Sequence, residues 1–170
     1  MADEPQKPAQ PAPAQQQRSG VPQIAIELQY IKDLSFENPL GPELVSYVQK
    51  SPAVSVEVNT TARPLGPNRY EVALALRGEA KSDNKTMFVV ELSYAGVVTL
   101  HNVPEEGVRP VLLIEAPRLL FPFARNVVAE VTRDGGYPPL FIQPVDFAQL
   151  YRQQHVQGGA PAQPQEPTQA

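Results

Sequence analysis

Residues 70–100, YEVALALRGEAKSDNKTMFVVELSYAGVVTL, decide the architecture. Tyr70, Val72, Leu74 and Leu76 alternate with charged or small residues, the period-two signature of a strand with one buried face. The polar run Lys81-Ser82-Asp83-Asn84-Lys85 then turns the chain, and a long strand extends from Thr86 to Leu100. So short a connection joins antiparallel neighbours, because a parallel return needs about a dozen residues or more. The long strand is apolar on both faces, with Met87 and Val89 on one side and Phe88, Val90 and Leu92 on the other, so each side needs a cover.

Two further strands precede this pair. Ile24, Ile26, Leu28 and Tyr30 alternate with Ala25, Glu27 and Gln29, and after Pro52 the residues Val54, Val56 and Val58 alternate with Ser55, Glu57 and Asn59. The second run ends in Arg63-Pro64-Leu65-Gly66-Pro67-Asn68, where two prolines and a glycine demand a turn. Four such strands make a meander or near-meander. Beyond Pro104 the period lengthens: Leu112, Leu113, Leu119, Leu120, Phe123, Val127, Val128 and Val131 recur at helical spacing until Asp134-Gly135-Gly136 stops them. Pro117 and Pro122 inside that run predict a kinked or broken helix. A last helix starts at Asp146, whose carboxylate can cap it with Gln149 three residues on, and places Phe147, Leu150 and Tyr151 on one side. Strands first and helices afterwards define an α+β fold, a four-stranded antiparallel sheet with two helices on one face.

The remaining sequence frames this domain. Residues 1–20 and 156–170 are dominated by Pro, Gln, Ala and Gly, cannot offset the entropy of ordering, and are expected to be disordered tails around a domain at 21–155. The N-terminus is acidic where a secretory signal needs basic residues, and no apolar run approaches the roughly 20 residues of a membrane span, so a cytoplasmic location is expected. Cysteine is absent from the 170 residues, which removes disulfides and thiolate chemistry. Between positions 21 and 155 the 12 basic residues are scattered among 15 acidic ones, so no basic stripe offers itself to nucleic acid.

Catalytic chemistry finds no constellation. His101 lies at a strand end and His155 at the edge of the tail, both read as surface residues, and no Gly-x-Ser-x-Gly elbow accompanies them. Glu105-Glu106 reads as a solvated loop pair rather than a metal site, and none of the 10 glycines forms a phosphate-cradling loop. No catalytic residue, metal or cofactor is therefore expected, and a small-ligand or enzymatic α+β domain lacks the converging polar groups it needs. What remains is surplus apolar surface. One sheet and about two helices carry more apolar positions than they can bury on each other, Phe121, Phe123, Phe147 and Tyr151 among them, which implies self-association, a ligand groove, or both.

Several segments together resemble the SecB export-chaperone family: Asp33-Leu34-Ser35-Phe36-Glu37-Asn38-Pro39, Leu119-Leu120-Phe121-Pro122-Phe123-Ala124-Arg125, Gly136-Tyr137-Pro138-Pro139-Leu140 and Pro144-Val145-Asp146-Phe147. Their order and spacing agree over about positions 22 to 152. The resemblance implies an ATP-independent chaperone without a cofactor. It implies a homotetramer, a dimer of dimers, that holds unfolded preproteins in the cytoplasm and delivers them to the SecA motor; a chaperone of the same fold serving a toxin–antitoxin pair is the alternative. It further implies that the motor's zinc-bearing C-terminal segment docks on the sheet at Asp33, Glu37, Val89 and Glu91, where the carboxylates would steer a basic partner. Clients would occupy an apolar groove formed by Val54, Val56 and Val58 with Phe147, Leu150 and Tyr151. Two features depart from the family pattern. Val89 stands where a larger Leu is usual, and the C-terminal tail carries one acid, Glu166, where the family's tail is often more acidic.

Overall fold

The computed structural model describes residues 20–47 and 50–156. The tails expected at 1–20 and 156–170, apart from Gly20 and the backbone of Val156, and the side chain of His155 lie outside the described residues. Four strands, β1 (Gln23–Glu37), β2 (Ala53–Gly66), β3 (Arg69–Ser82) and β4 (Lys85–His101), form one antiparallel sheet in the order β1-β4-β3-β2. The last three are a meander. β1 departs from it by pairing with β4 rather than with its sequence neighbour, so the chain between β1 and β2 crosses from one sheet edge to the other through a 3-10 turn at Gly41–Ser46.

Turn chemistry fixes the hairpins. Asp83 and Asn84 both adopt left-handed φ, 51° and 60°, the two-residue geometry that matches strand twist, and Asn68 does so after Pro67 at φ 55°. The register of β1 is less regular than its alternation suggests. Bulges at Glu27 and Lys32 each insert one residue against β4 and reverse which parity faces the helices. Ile24 and Ile26 point to the covered face as expected, but Leu28 and Tyr30 are carried to the opposite face, and the strand continues through Asp33 to Glu37.

Residues 105–134 form a single helical run in three parts. α1 (Glu105–Pro110) leads through a π turn at Val111–Glu115 into α2 (Ala116–Asp134). Pro117 follows directly on the π turn, and the irregularity expected from the prolines lies in that turn, where the Ala116 N–H donates to Val111 five residues back. Pro122 is accommodated within α2. The run ends as Tyr137 N–H reaches Thr132 O at 3.1 Å with Gly136 at φ 90°. Asp146 caps α3 (Phe147–Val156), its Oδ1 accepting from Gln149 N–H at 2.9 Å.

The helices lie on the even-numbered face of β4. A Cβ at Gly96 would come within 2.8 Å of Leu120, and one at Gly78 would meet both Val90 and Leu140 at 3.0 Å. Close approach at Gly96 and Gly78 buries Val72, Leu74, Leu76, Val90, Leu92 and Val98 beneath α2 and the loop that follows it. Among the described residues no helix lies on the opposite face of the sheet.

Candidate functional site

Edge strand β2 is only partly covered. Thr60 and Val58, toward its middle, pack on the core or close to it, whereas Val54 and Val56 are 45% and 37% exposed. A groove of about 180 Å³ opens at Val54, lined also by Pro52, Met87, Phe88, Tyr137, Pro138, Pro139 and Leu140. Its far wall is the loop after α2. That loop is held by Thr132, fully buried, whose hydroxyl donates to the Val128 and Ala129 carbonyl region and accepts from Leu140 N–H at 2.9 Å. Tyr137 anchors the other end. Its hydroxyl lies 2.5 Å from Met87 O and 2.8 Å from Asn38 Oδ1, and its ring completes a cluster with Phe36 and Phe88. The two distant segments Phe36-Glu37-Asn38 and Gly136-Tyr137-Pro138 thus meet at Tyr137, which itself lines the groove.

The expected client surface is divided by this arrangement. Val54 and Val56 stand at an opening; Phe147, at 1% exposure, is core, its ring 5.8 Å from that of Phe121. Leu150 and Tyr151 are half-buried on α3 and lie outside the lining of the Val54 groove. α3 reaches β2 at its far end, where Gln154 donates to Asn59 Oδ1 at 3.0 Å. A second cleft of about 420 Å³ lies beyond, between Thr60–Pro64 of β2 and Val108–Leu113. Since β2 ends the sheet, its outer row of N–H and C=O groups has no strand partner among the described residues.

On the helix-free face, Asp33, Glu37, Val89 and Glu91 come together through register: Glu37 sits opposite Val89, Ser35 opposite Glu91 and Asp33 opposite Ser93. Glu57 and Glu79 extend the acidic end of this face from β2 and β3, and Arg77 and Lys81 are interspersed. Arg77 is hydrogen-bonded to Glu91, and Lys81 Nζ lies 2.9 Å from Glu79, which together with Thr86 holds the Glu79 carboxyl below its ordinary range. Farther along, Glu71 of β3 is buried and receives Tyr30, Lys32 at 2.8 Å and Arg63 at 2.5 Å. The Arg63, Lys32 and Tyr30 hydrogen bonds hold this carboxyl far below the usual carboxylate range, and Glu71 in turn raises Tyr30. No alternation or spacing marks Glu71 in the sequence, because its partners come from β1 and β2.

Among the described residues no three of His, Cys, Asp and Glu converge as a metal site, and no helix is long and apolar enough to cross a membrane. An apolar groove beside an unpaired strand edge grips by excluding water, without demanding one sequence, which is the property of a chaperone-type binding module. Residues 15–158 match the family model described as preprotein translocase subunit SecB. The chain is 54% identical over 140 residues to the protein-export protein SecB of Paramagnetospirillum magneticum, covering 82% of this chain and 90% of that one. It is 48% identical over 162 residues to the protein of the same name from Maricaulis maris, covering 95% and 91%. The chain belongs to the SecB family of protein-export chaperones. A solved structure, the SecB-like chaperone of Mycobacterium tuberculosis in complex with a peptide from an antitoxin, shares the fold with TM-score 0.59 at 13% identity, over 72% of this chain and 90% of that one.

Proposed function

We propose that this chain holds unfolded preproteins in the cytoplasm without nucleotide and delivers them to the SecA motor as a homotetramer, a dimer of dimers. The observation that carries the reading is the open apolar margin of β2, with Val54 and Val56 exposed beside the groove walled by Tyr137–Leu140. Burial of apolar area is worth about 25 cal/mol per Å2 and has no direction, so such a margin favours chains whose apolar residues are already exposed. Several margins in one assembly raise the effective concentration for a long client, and weak contacts add into useful avidity. The exposed apolar residues Leu119 and Phe123 of α2, and Ile31 and Leu34 of β1, supply surface for the contacts between subunits. Asp33, Glu37 and Glu91 around Val89 form the docking face for the motor.

Export is favoured over service to a toxin–antitoxin pair because the relatives at 48–54% identity are named for export, whereas the antitoxin complex belongs to a protein 13% identical. A urea-denatured client diluted into the purified protein without nucleotide tests the holding activity. Light scattering is expected to stay low at stoichiometric chaperone, and an unchanged aggregation curve would refute it. Exchange of Glu37 and Glu91 for Lys is expected to abolish motor binding while holding persists.

A further inference from the structure

Arg77 occupies an unusual place on the acidic end of the helix-free face. It lies in register between Glu57 of β2 and Glu91 of β4, with Glu79 two residues along its own strand. Its guanidinium is hydrogen-bonded to Glu91 and comes within 4.0 Å of Glu79. Lys81 already serves Glu79, and both Arg77 and Glu91 are about half exposed, 41% and 50%. An ion pair that open to water contributes little to folding. Its consequence falls on whatever binds there. Of the charges at this end, Asp33, Glu37, Glu57, Glu79 and Glu91 are negative, and Arg77 stands among them, directly between Glu91 and Glu57.

We propose that Arg77 is the built-in competitor of the docking face: it occupies Glu91 until a cationic side chain of the motor displaces or shares it, and so holds the affinity for that partner below what the carboxylates alone would give. This rests on the docking reading of Asp33, Glu37, Val89 and Glu91. A weak, salt-sensitive contact suits a handover, in which the chaperone must leave the motor after the client has passed. A unit positive charge about 6 Å from an incoming one, in a water-like medium, lowers the binding constant roughly threefold. The effect fades as salt shortens the reach of the field.

The test uses the full chain and the zinc-loaded C-terminal segment of SecA, titrated calorimetrically at low and high salt, with Arg77→Met, Arg77→Lys and the Glu37→Lys/Glu91→Lys pair. Arg77→Met keeps the length and apolar stem and removes the charge. It is expected to bind about threefold tighter than the parent at low salt, with the difference gone at high salt, while Arg77→Lys stays near the parent. Client holding, read by light scattering in the same preparations, confirms that each variant is folded. Equal or weaker binding by Arg77→Met, with the Glu37→Lys/Glu91→Lys pair inactive, overturns the role of Arg77 and leaves the docking face standing. Undiminished binding by that pair overturns both.

Discussion

Glu71 is a buried carboxylate held between two cations. Three donors from two other strands converge on one buried carboxylate, so it joins β1, β3 and β2 across the helix-free face where Ala73 and Ala95 leave room for long side chains to lie flat. Removing it in Glu71→Ala should cost about 1.5–3 kcal/mol, the range for hydrogen bonds to a charged group. The folded-state pKa is depressed, so the stabilisation is complete above the unfolded value of 4.5 and is lost as pH falls below it toward the folded value. Urea titrations should therefore show the gap between parent and Glu71→Ala narrowing in acid; a gap independent of pH would contradict the ion-pair account. Little of this was legible from sequence. A glutamate inside a strand reads as solvent-facing, and its partners are 8 to 41 residues away. Gly135 is a similar case: it reads as a helix terminator, yet a Cβ there would also fall 2.3 Å from the ring of Phe36, a contact made only by the fold.

At the level of strands and helices the structure follows the sequence pattern most closely where the chemistry is local. The polar turn before β4, the alternation of β2 and the cap at Asp146 depend on neighbours in the chain, and all three are present. Asp146→Ala should therefore destabilise by about 0.5–2 kcal/mol and raise hydrogen exchange first in the opening turn of α3; uniform exchange across the domain would argue against a local cap. The alternation of β1 was misleading because bulges at Glu27 and Lys32 answer to pairing with β4, and a bulge leaves no mark in a period-two pattern. Two prolines correctly signalled an irregular helix, but the π turn at Val111–Glu115 takes up the distortion ahead of Pro117. Phe147 illustrates the limit for the groove. Helical spacing places it beside Leu150 and Tyr151, while packing against Phe121 makes it core, and the wall at Val54 comes instead from the Tyr137–Leu140 loop.

Taken together, the chain separates its apolar excess into surfaces with different expected uses. Leu119 and Phe123 are exposed on α2, and Val54 and Val56 at the margin of β2. Leu119→Asp/Phe123→Asp should lower the mass measured by sedimentation, since a charge cannot be buried unpaired in a subunit contact. Val54→Asp/Val56→Asp should leave the mass unchanged and weaken client holding by about tenfold, given the loss of two exposed aliphatic contacts. If both pairs changed mass alike, the division of surfaces would be wrong. Holding an unfolded chain on the β2 margin would remove apolar surface from water. Isothermal titration of a permanently unfolded client over a range of temperatures measures that directly through the heat-capacity change of binding. A clearly negative value, reduced in Val54→Asp/Val56→Asp and with no heat of binding for the same client in its native form, is the expected result. A heat-capacity change near zero, with affinity that tracks salt alone, would contradict it.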